Sequence, residues 1–387
     1  MTNICTALIL VESSLNNAKC SMKIFENIHK RLTMSSSSTL RDVAKLAGVS
    51  LGTASQALNQ HGSVLTETRD RVLVAAKTLG YHARAYERNG GGTMRAASVQ
   101  LSVIGLLTKH DRGIPVDINP FFSHVQAGVE SECRARNLGL MYANIEVDQS
   151  NHPLIWPRMV SERRIDGLIL IGTSIGKMVG DIKRKLNKPI VLVDSYAPDF
   201  PFDGVEIDNM GGAFAAVQHL VQHGHKHIGL IGSNPVSSRD ILERRAGYLK
   251  ALSQHDIAHS YIEDTVLRRE ESYKAVQALL KRAPQLTAIF ACNDDCAFGV
   301  MDAAHDLGLR VPRDLSVIGF DDVDLAREVK PALTTVQVHK TWLGKLGVQQ
   351  LVERVQQPDR PRLSVTVSTR LIERESVAAP RAANKKR

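Results

Sequence analysis

"TLRDVAKLAGVSLGTASQALNQ", residues 39–60, decides the fold of the first part of the chain. Its composition is helical, but its apolar residues are mostly small, and Gly48 stands in the middle. Glycine accepts the left-handed backbone conformation that ends a helix, and Ser50 just beyond it is a good N-cap for a second helix. The stretch therefore predicts two short helices joined by a tight turn.

The apolar spacing predicts which side of each helix is buried. Thr39 stands three residues before Asp42, a weak form of the capping box, so the first helix should begin at Leu40. The second should run from Leu51 to about Asn59, and a third should follow after a cap at Thr66. The expected buried positions are Val43, Leu46 and Ala47, then Ala54, Ala57 and Leu58, then Val72, Ala75, Ala76 and Leu79.

A helix, a turn containing glycine and a second short helix form the helix-turn-helix pattern. Alanines let two helices cross closely, and a polar second helix can present donors and acceptors to bases in the major groove. Between residues 39 and 95, eight Lys and Arg stand against four acids, a balance that suits phosphate contacts. The spacing alone leaves a second alternative open, a three-helix bundle that binds a protein.

The whole chain has 387 residues, enough for two or three domains, and its net charge of +9 allows an acidic partner such as nucleic acid. Five cysteines, an odd count, favour a reducing cytoplasm over a disulfide scaffold. No apolar run approaches the roughly 20 residues of a transmembrane helix. "ICTALILV" near the start lacks a preceding basic region, so we do not interpret it as a signal peptide.

From about residue 101 onward, short apolar runs alternate with helical stretches. Runs rich in Ile, Val and Leu between amphipathic helices indicate buried parallel strands in βαβ units. Ligands bind beyond the carboxyl ends of such strands, so two α/β lobes would hold a small ligand between them. The predicted strands are "SVIGLLT", "GLILIG", "PIVLVD", "HIGLIG", "TAIFAC" and "SVIGF".

"TLRDVAKLAGVSLGTASQALN" and "VLTETRDRVLVAAKTLGY" resemble the N-terminal signature of the lac repressor/galactose repressor family of bacterial transcription factors, and the resemblance continues to about residue 376. It implies a small all-α helix-turn-helix head and a two-lobed α/β core like that of periplasmic sugar-binding proteins. It also implies a homodimeric repressor of carbohydrate-utilisation genes, on the nucleoid in the cytoplasm. Its partners would be a near-palindromic DNA operator and a sugar-like effector that changes operator affinity, with no membrane partner, cofactor, metal or catalytic residue.

The resemblance also divides the chain. We expect a disordered extension over 1–38, in which Met34 is a candidate start, and a disordered basic tail over 377–387. The DNA-binding domain would occupy 39–86 and the linker 87–101. Within the core, 102–376, lobe 1 would hold about 102–205 and 336–359, and lobe 2 about 206–335 and 360–376.

Site residues are carried over from the family position by position. Leu51, Gly52 and Gln56 fall at base-reading positions, where Gln56 can pair bidentately with adenine. The full DNA-binding set is Thr39, Ser50, Leu51, Gly52, Thr53, Ser55, Gln56, Asn59 and Arg84. The effector set is Phe121, Phe122, Arg244, Tyr273, Asn293 and Asp321, a mixture of aromatic faces, guanidinium, amide and carboxylate that suits a sugar.

Other motifs suggest other classes of protein. "GTSIG" fits the nucleophile elbow of a serine hydrolase, so the alternative function is a hydrolase core with Ser174 as nucleophile behind a DNA-binding head. "HGHKH" (His223, His225 and His227) suggests a metal site, although a helix-to-strand turn explains it better. Cys292 and Cys296 suit packing. The sequence leaves open the effector's identity and sign, the operator, and the choice between dimer and tetramer.

The linker departs from the family pattern. After "LGY", family members usually have a proline and a hinge helix that inserts a leucine into the minor groove. Here Ala83 replaces the proline, and Gly90–Gly92 fall where the helix should be. Each glycine destabilises a helix by roughly 1 kcal/mol relative to alanine.

We therefore predict that residues 87–100 are disordered in the DNA-free protein. Hydrogen–deuterium exchange should show their amides exchanging as fast as those of an unstructured peptide. Strong protection of these amides without DNA would contradict the prediction.

Overall fold

The computed structural model describes residues 39–58, 64–79, 101–111, 120–148, 150–172, 176–197 and 199–381. The chain divides into two compact units, Met1–Arg95 and Ala96–Arg387. The expected extension over 1–38, the linker 87–100 and the site residues Asn59, Arg84 and Ser174 lie outside the described residues. Within the described ranges, no helix is long and apolar enough to cross a membrane.

The described part of the first unit contains three helices around a small apolar core: α1 (Leu40–Ala47), α2 (Leu51–Leu58) and α3 (Thr66–Thr78). Thr39 caps α1 through the predicted capping box: its Oγ1 accepts from the Asp42 amide at 3.4 Å, and the Thr39 amide donates to Asp42 Oδ2 at 2.8 Å. Gly48 ends α1 with φ of 66°, as its sequence position predicts. The three helices bury Val43, Ala44, Ala47, Ala54, Ala57, Val72, Ala75 and Ala76.

Two details of this unit differ from the sequence prediction. Leu46 is 54% exposed, and Ala44 takes a buried place beside Val43 and Ala47. At about 100° per residue, Val43, Ala47 and Ala44 span one face of α1 while Leu46 lies outside it. Thr66 does not cap α3 either, since Leu65 occupies the N-cap without a side-chain hydrogen bond.

The second unit is an α/β structure with two sheets. Its helices are α4 (Pro120–Ala135), α5 (Arg158–Ser161), α6 (Gly176–Leu186), α7 (Asn209–Gln222), α8 (Arg239–Gln254), α9 (Arg269–Arg282), α10 (Asp294–Asp306), α11 (Leu325–Glu328) and α12 (Lys340–Gln356). Its strands are β1 (Val103–Asp111), β2 (Gly139–Val147), β3 (Gly167–Ile171), β4 (Ile190–Val193), β5 (Asp203–Ile207), β6 (Ile228–Ser233), β7 (Tyr261–Asp264), β8 (Ala288–Ala291), β9 (Ser316–Asp321), β10 (Thr334–Gln337), β11 (Ser364–Val367) and β12 (Arg370–Ile372). All six strands predicted from apolar runs are present.

Each sheet forms the centre of one lobe. The lobe 1 sheet has the order β11-β5-β4-β3-β1-β2 and is parallel throughout. The lobe 2 sheet has the order β12-β10-β9-β8-β6-β7, with only the pairing of β12 to β10 antiparallel. The predicted two-lobed core with parallel sheets is therefore confirmed.

The chain crosses between the lobes three times. It leaves lobe 1 after β5 and returns between β10 and α12, within a few residues of the expected positions near 205 and 335. The third crossing was expected near 360 and instead follows β11. Val365 pairs with Val205, so 364–367 extends the lobe 1 sheet, and this part of the predicted boundary is wrong.

The end of the chain also differs from its prediction as a disordered tail from 377. The Ala378 carbonyl accepts hydrogen bonds from His225 Nε2 at 2.8 Å and from Ser316 Oγ at 3.1 Å. Arg381 forms an ion pair with Asp314 at 2.6 Å. Residues 377–381 are therefore packed against lobe 2, and 382–387 lie outside the described residues.

Lobe 1 contains a close crossing of α4 and α12. A Cβ added to Gly344 would lie 2.1 Å from the Val125 carbonyl oxygen, and one added to Gly128 would lie 2.1 Å from the Thr341 carbonyl oxygen. Real Cβ atoms do not approach a carbonyl so closely, so the two helices touch backbone to backbone and only glycine fits at either position.

We predict that Gly344→Ala lowers the free energy of unfolding by about 1–3 kcal/mol, because the added methyl group forces the helices apart. Chemical denaturation followed by circular dichroism measures this. Thr341→Ala, at an exposed side chain of the same helix, is the control and should change stability by less than about 0.5 kcal/mol. Equal stabilities of Gly344→Ala and the natural protein would contradict the close contact.

Candidate functional site

The outer face of α2 carries the predicted base-reading residues. Ser50 caps this helix, since its Oγ accepts from the Thr53 amide at 3.1 Å. Leu51 is 46% exposed, and Gly52 and Gln56 are also exposed. The opposite face holds the buried alanines, so the three positions expected to read bases all face solvent on one short helix.

The other described members of the DNA-binding set contribute to local structure. The Thr39 hydroxyl donates to Asp42 Oδ2 at 2.6 Å, and this bond and the Thr39 amide lower the pKa of the Asp42 carboxyl. The Ser50 and Thr53 hydroxyls are 2.8 Å apart, and Ser55 is half-buried. Thr39 therefore fixes how α1 begins, and Ser50 and Thr53 fix how α2 begins.

In the second unit, a cleft lies where the carboxyl ends of the strands in the two lobes approach each other. Asp194 follows β4 of lobe 1, while Asn293 follows β8 and Asp321 ends β9 of lobe 2. A cavity of about 40 Å³ opens beside Asp194. That volume holds only a few water molecules, so a sugar requires the lobes to separate or side chains to move.

Arg244 of α8 is the centre of the lobe 2 wall. It is only 4% exposed, and its Nε donates to Asn209 Oδ1 at 2.9 Å while an Nη donates to the Cys292 carbonyl at 2.6 Å. Its guanidinium lies 3.8 Å from the ring centroid of Phe320 and 3.5 Å from Asp321 Oδ1. The predicted effector arginine is therefore a rigid, buried group at the strand ends.

Asp321 is held at the same place in an unusual backbone conformation. Its φ is 110°, it is 8% exposed, and its buried Oδ1 has no hydrogen-bond partner among the described residues. Burial raises the pKa of this carboxyl to about 6, against the opposing effect of Arg244 and Lys340. A buried carboxylate oxygen without a donor is a ready acceptor for a ligand hydroxyl or ammonium group.

Lys340 joins the lobes at this point. It begins α12 of lobe 1, and its Nζ donates to the carbonyl oxygens of Asp321 and, at 2.9 Å, of Asp322 in lobe 2. Burial lowers the pKa of this ammonium group, while Asp321 and Asp322 oppose that effect. No pattern in the sequence marks Lys340, because an isolated lysine at a helix start resembles any surface lysine.

A second contact between the lobes closes the cleft mouth. The Arg239 guanidinium of lobe 2 lies 4.1 Å from the ring centroid of Tyr196 and 3.7 Å from Glu206 Oε2, both in lobe 1. Sequence reasoning missed this wall, whose residues belong to the loop after β4, to the end of β5 and to the starts of α7 and α8. The cavity is lined by Asp194, Ser195, Tyr196, Glu206, Ile207, Asn209, Ser238, Arg239, Asp240 and Glu243.

The remaining predicted effector residues are only partly brought together. Phe121 and Phe122 begin α4 with rings edge to face at 5.3 Å, and Phe121 belongs to the same apolar core as Ile207 and Phe320. Asn293 caps α10, accepting from the Cys296 amide at 2.8 Å.

Tyr273 does not join the effector residues. Its hydroxyl donates to Asp306 Oδ2 at 2.8 Å, at the C-terminal end of α10. In a βαβ unit this end of the helix lies away from the strand carboxyl ends. The prediction placed Tyr273 by resemblance to the family, but the helix turns its side chain towards Asp306 and away from the cleft.

The alternative motifs have local structural roles. His225 is buried between Thr287 and Ala378, His227 Nδ1 lies 3.1 Å from the Tyr261 hydroxyl, and His223 Nδ1 lies 2.9 Å from the His219 carbonyl oxygen. Cys292 and Cys296 are free and buried, and burial raises the pKa of both thiols. Among the described residues, no group of three or more His, Cys, Asp or Glu is placed to hold a metal ion.

A first unit whose described helices expose one polar helix, joined in sequence to a two-lobed core with a charged cleft, defines a DNA-binding regulator that responds to a small molecule. Residues 39–83 match the model described as bacterial regulatory proteins, lacI family, and residues 217–377 match the periplasmic binding protein-like domain. The chain belongs to the lacI family of bacterial regulatory proteins. This is a family of transcriptional repressors, so the hydrolase alternative is set aside.

Relatives match over the length of the core and head together. The chain is 30% identical to the HTH-type transcriptional repressor PurR of Aliivibrio salmonicida and 31% identical to the ribose operon repressor of Haemophilus influenzae. Each match covers 88% of this chain and 98% of the relative. The lac repressor dimer bound to operator and the anti-inducer ONPF is 25% identical with a TM-score of 0.61, covering 88% of this chain and 99% of that one.

The pH dependence of stability should report a buried carboxyl beside the cleft. Asp294 is 1% exposed and accepts from the Val323 amide at 2.8 Å and from the Thr335 hydroxyl. Burial, followed by the charge of Asp321, raises its pKa to about 8. The folded protein therefore holds a proton that the unfolded chain releases above about pH 4, and stability falls as the pH rises towards 8.

We predict that Asp294→Asn reduces the loss of stability between pH 5 and pH 8. The amide keeps one acceptor and one donor but cannot ionise, which removes a slope of up to about 1.4 kcal/mol per pH unit. Urea unfolding at several pH values between 5 and 9 measures the pH dependence of the free energy of unfolding. Asp256→Asn, at an exposed position with φ of 53° that asparagine tolerates, is the control. Parallel pH curves for Asp294→Asn and the natural protein would contradict the raised pKa.

Proposed function

We propose that this protein is a homodimeric repressor of carbohydrate-utilisation genes, whose operator affinity is changed by a sugar-like effector bound between the lobes. The single observation that carries the proposal is the buried Arg244–Asp321 pair at the strand ends, in a chain whose first unit exposes a polar helix. A guanidinium and a carboxylate with an unused oxygen match the paired donors and acceptors of sugar hydroxyls. The ribose operon repressor among its relatives supports a carbohydrate role.

The DNA contacts follow from the face of α2. Gln56 offers an amide that can pair with adenine in the major groove, and Leu51 can contact a thymine methyl group. Thr39, Ser50, Thr53, Ser55, Asn59 and Arg84 complete the proposed DNA-binding set. In a twofold dimer, like the operator-bound lac repressor dimer, each head reads one half of a near-palindrome. A repressor must reach the chromosome, so we place the protein in the cytoplasm, on the nucleoid.

The proposed effector set is Phe121, Phe122, Arg244, Asn293 and Asp321. Because Lys340 and Arg239 contact both lobes, a ligand that displaces Arg239 or draws on Asp321 changes how the lobes meet. By thermodynamic linkage, the operator must change effector affinity by the same factor as the effector changes operator affinity. This holds for an inducer and for a co-repressor.

The first test is to incubate the purified protein with sheared genomic DNA of its source and to sequence the retained fragments. We expect a few sharp sites that share a near-palindrome beside carbohydrate genes. Gln56→Ala should relax one position of each half-site by about 1–3 kcal/mol, while Gln126→Ala on lobe 1 should leave the motif unchanged. Diffuse retention without a common motif would refute sequence-specific repression.

A further inference from the structure

One segment of lobe 1 carries more than half of the protein's excess positive charge. Residues 150–190 contain eight Lys and Arg and three Asp and Glu, a net charge of +5, whereas the whole chain has a net charge of +9. The stretch 261–306 of lobe 2 has five Lys and Arg against eight acids, a net charge of −3. The positive charge is therefore a local feature of lobe 1 and not a general property of the core.

The helices of this segment cover one face of the lobe 1 sheet. Val160 of α5 and Ile182 of α6 are buried in one apolar cluster with Leu170 of β3. The two helices also pack against each other. Helices α4 and α12 belong to the opposite face of the sheet, on which Ile169 packs. The outer sides of α5 and α6 therefore form one surface, the α5–α6 face, made by residues 152–164 and 181–188.

The acids of the α5–α6 face are already paired, but several of its cations are not. Glu162 forms ion pairs with Arg158 and Arg164. Asp181 forms an ion pair with Arg184. Within the described ranges, four cations of this face have no ion-pair partner: Arg163, Lys183, Lys185 and Lys188.

One part of this arrangement has a local explanation. Lys183 and Lys185 lie in the last turn of α6, where basic side chains interact favourably with the helix C-terminus. Arg163 and Lys188 lie outside both helices, so the helix dipole does not explain them. An excess of unpaired cations over two packed elements creates a positive field that attracts an anionic partner.

Aromatic rings support the lysines of this face. Lys185 Nζ lies 5.2 Å from the ring centroid of Trp156, and Lys183 Nζ lies 5.5 Å from that of Phe202. A ring holds the lysine stem while the ammonium group keeps donors for a partner. An open cavity of about 480 Å³ lies beside them, lined by His152, Pro153, Trp156, Asp181, Arg184 and Lys185.

We propose that the α5–α6 face binds the phosphate backbone of DNA, outside the bases that α2 reads. Duplex DNA carries one negative charge per about 1.7 Å of its axis, and such a line of charge fits cations that are spread over a surface. The proposal concerns the affinity for DNA and needs no effector.

The covalent link to the first unit favours DNA over an acidic protein as the partner. Residues 39–83 match a family of DNA-binding regulators, so the first unit already brings the chain to DNA. Residues 80–100 can span at most about 70 Å when fully extended. The core therefore meets the same DNA at an effective concentration on the order of millimolar, at which weak phosphate contacts contribute to binding.

The first test measures counterion release on binding to a labelled duplex of mixed sequence, about 60 base pairs long. Fluorescence anisotropy gives the affinity of the full-length protein from about 50 to 300 mM NaCl. The face variant is Lys183→Gln, Lys185→Gln and Lys188→Gln combined. The slope of log K against log [NaCl] should be smaller in magnitude by about 2–3 in this variant, because each lost phosphate contact removes about 0.9.

The matched control removes the same charge from exposed lysines of lobe 2. It combines Lys226→Gln, Lys250→Gln and Lys281→Gln. Its slope should differ from that of the natural protein by less than about 1, since these lysines contact no phosphate. Thermal unfolding shows that both variants are folded.

A second measurement uses the natural protein, so it does not depend on the folding of a variant. Lysine acetylation with and without the duplex, followed by mass spectrometry, reports which ammonium groups the DNA covers. Lys183, Lys185 and Lys188 should become several-fold less reactive with DNA. Lys226 and Lys250 should react equally in both samples.

The outcomes separate this proposal from repression itself. Equal slopes for the face variant and the natural protein, with unchanged acetylation, would overturn the proposal and leave DNA reading by α2 intact. An equal loss of slope in the control variant would also overturn it, because net charge alone would then explain the effect. Protection of the three lysines by polyglutamate and not by the duplex would overturn it in favour of an acidic protein.

Discussion

The buried guanidinium of Arg244 is the interaction on which the ligand-binding half of the molecule depends. It joins the start of α7 through Asn209, the end of β8 through the Cys292 carbonyl and the end of β9 through Asp321, and it packs on Phe320. A buried charge is tolerated only when its donors are satisfied and a counter-charge is close. Because Arg244 meets both needs with strand ends, it orders the edge where a ligand must bind.

The residues at this edge of the lobe 2 sheet come from parts of the chain that are far apart in sequence. Asn209 begins α7, Arg244 lies in α8, Cys292 follows β8 and Asp321 ends β9, and the parallel pairing of β8 with β9 brings the last two to one side of the sheet. The first lobe contributes Asp194 from an equivalent strand end. Lys340 lies at a crossing and connects lobe 1 to lobe 2 by donating to backbone carbonyls. A structural change at the cleft therefore affects the segment where the chain passes between the lobes.

Some of this arrangement could be predicted from sequence and some could not. The helix-turn-helix could be predicted because Thr39, Gly48 and Ser50 are residue types that cap or end helices. Apolar runs in the sequence predicted six strands correctly: β1, β3, β4, β6, β8 and β9. The strands β5, β11 and β12 were not predicted, because they carry charged or polar residues and depend on pairing partners distant in sequence. Arg244 and Asp321 were found by resemblance, but Asp240, Arg239 and Lys340 are ordinary surface residue types until folding brings them to the cleft, where Lys340 is buried. Tyr273 was also assigned by resemblance, and a family position does not show which way a helical side chain turns.

The packed end of the chain has a practical meaning for anyone who alters the protein. His225, Ser316 and Asp314 are satisfied by residues 378–381, so hydrogen bonds and an ion pair hold this segment against lobe 2. An affinity tag or fluorescent fusion joined after Arg387 would leave these contacts in place. A shortened protein ending near residue 376 would lose the hydrogen-bond partners of a buried histidine and a buried serine. Its stability would therefore fall, although the missing residues belong to neither the DNA-binding set nor the effector set.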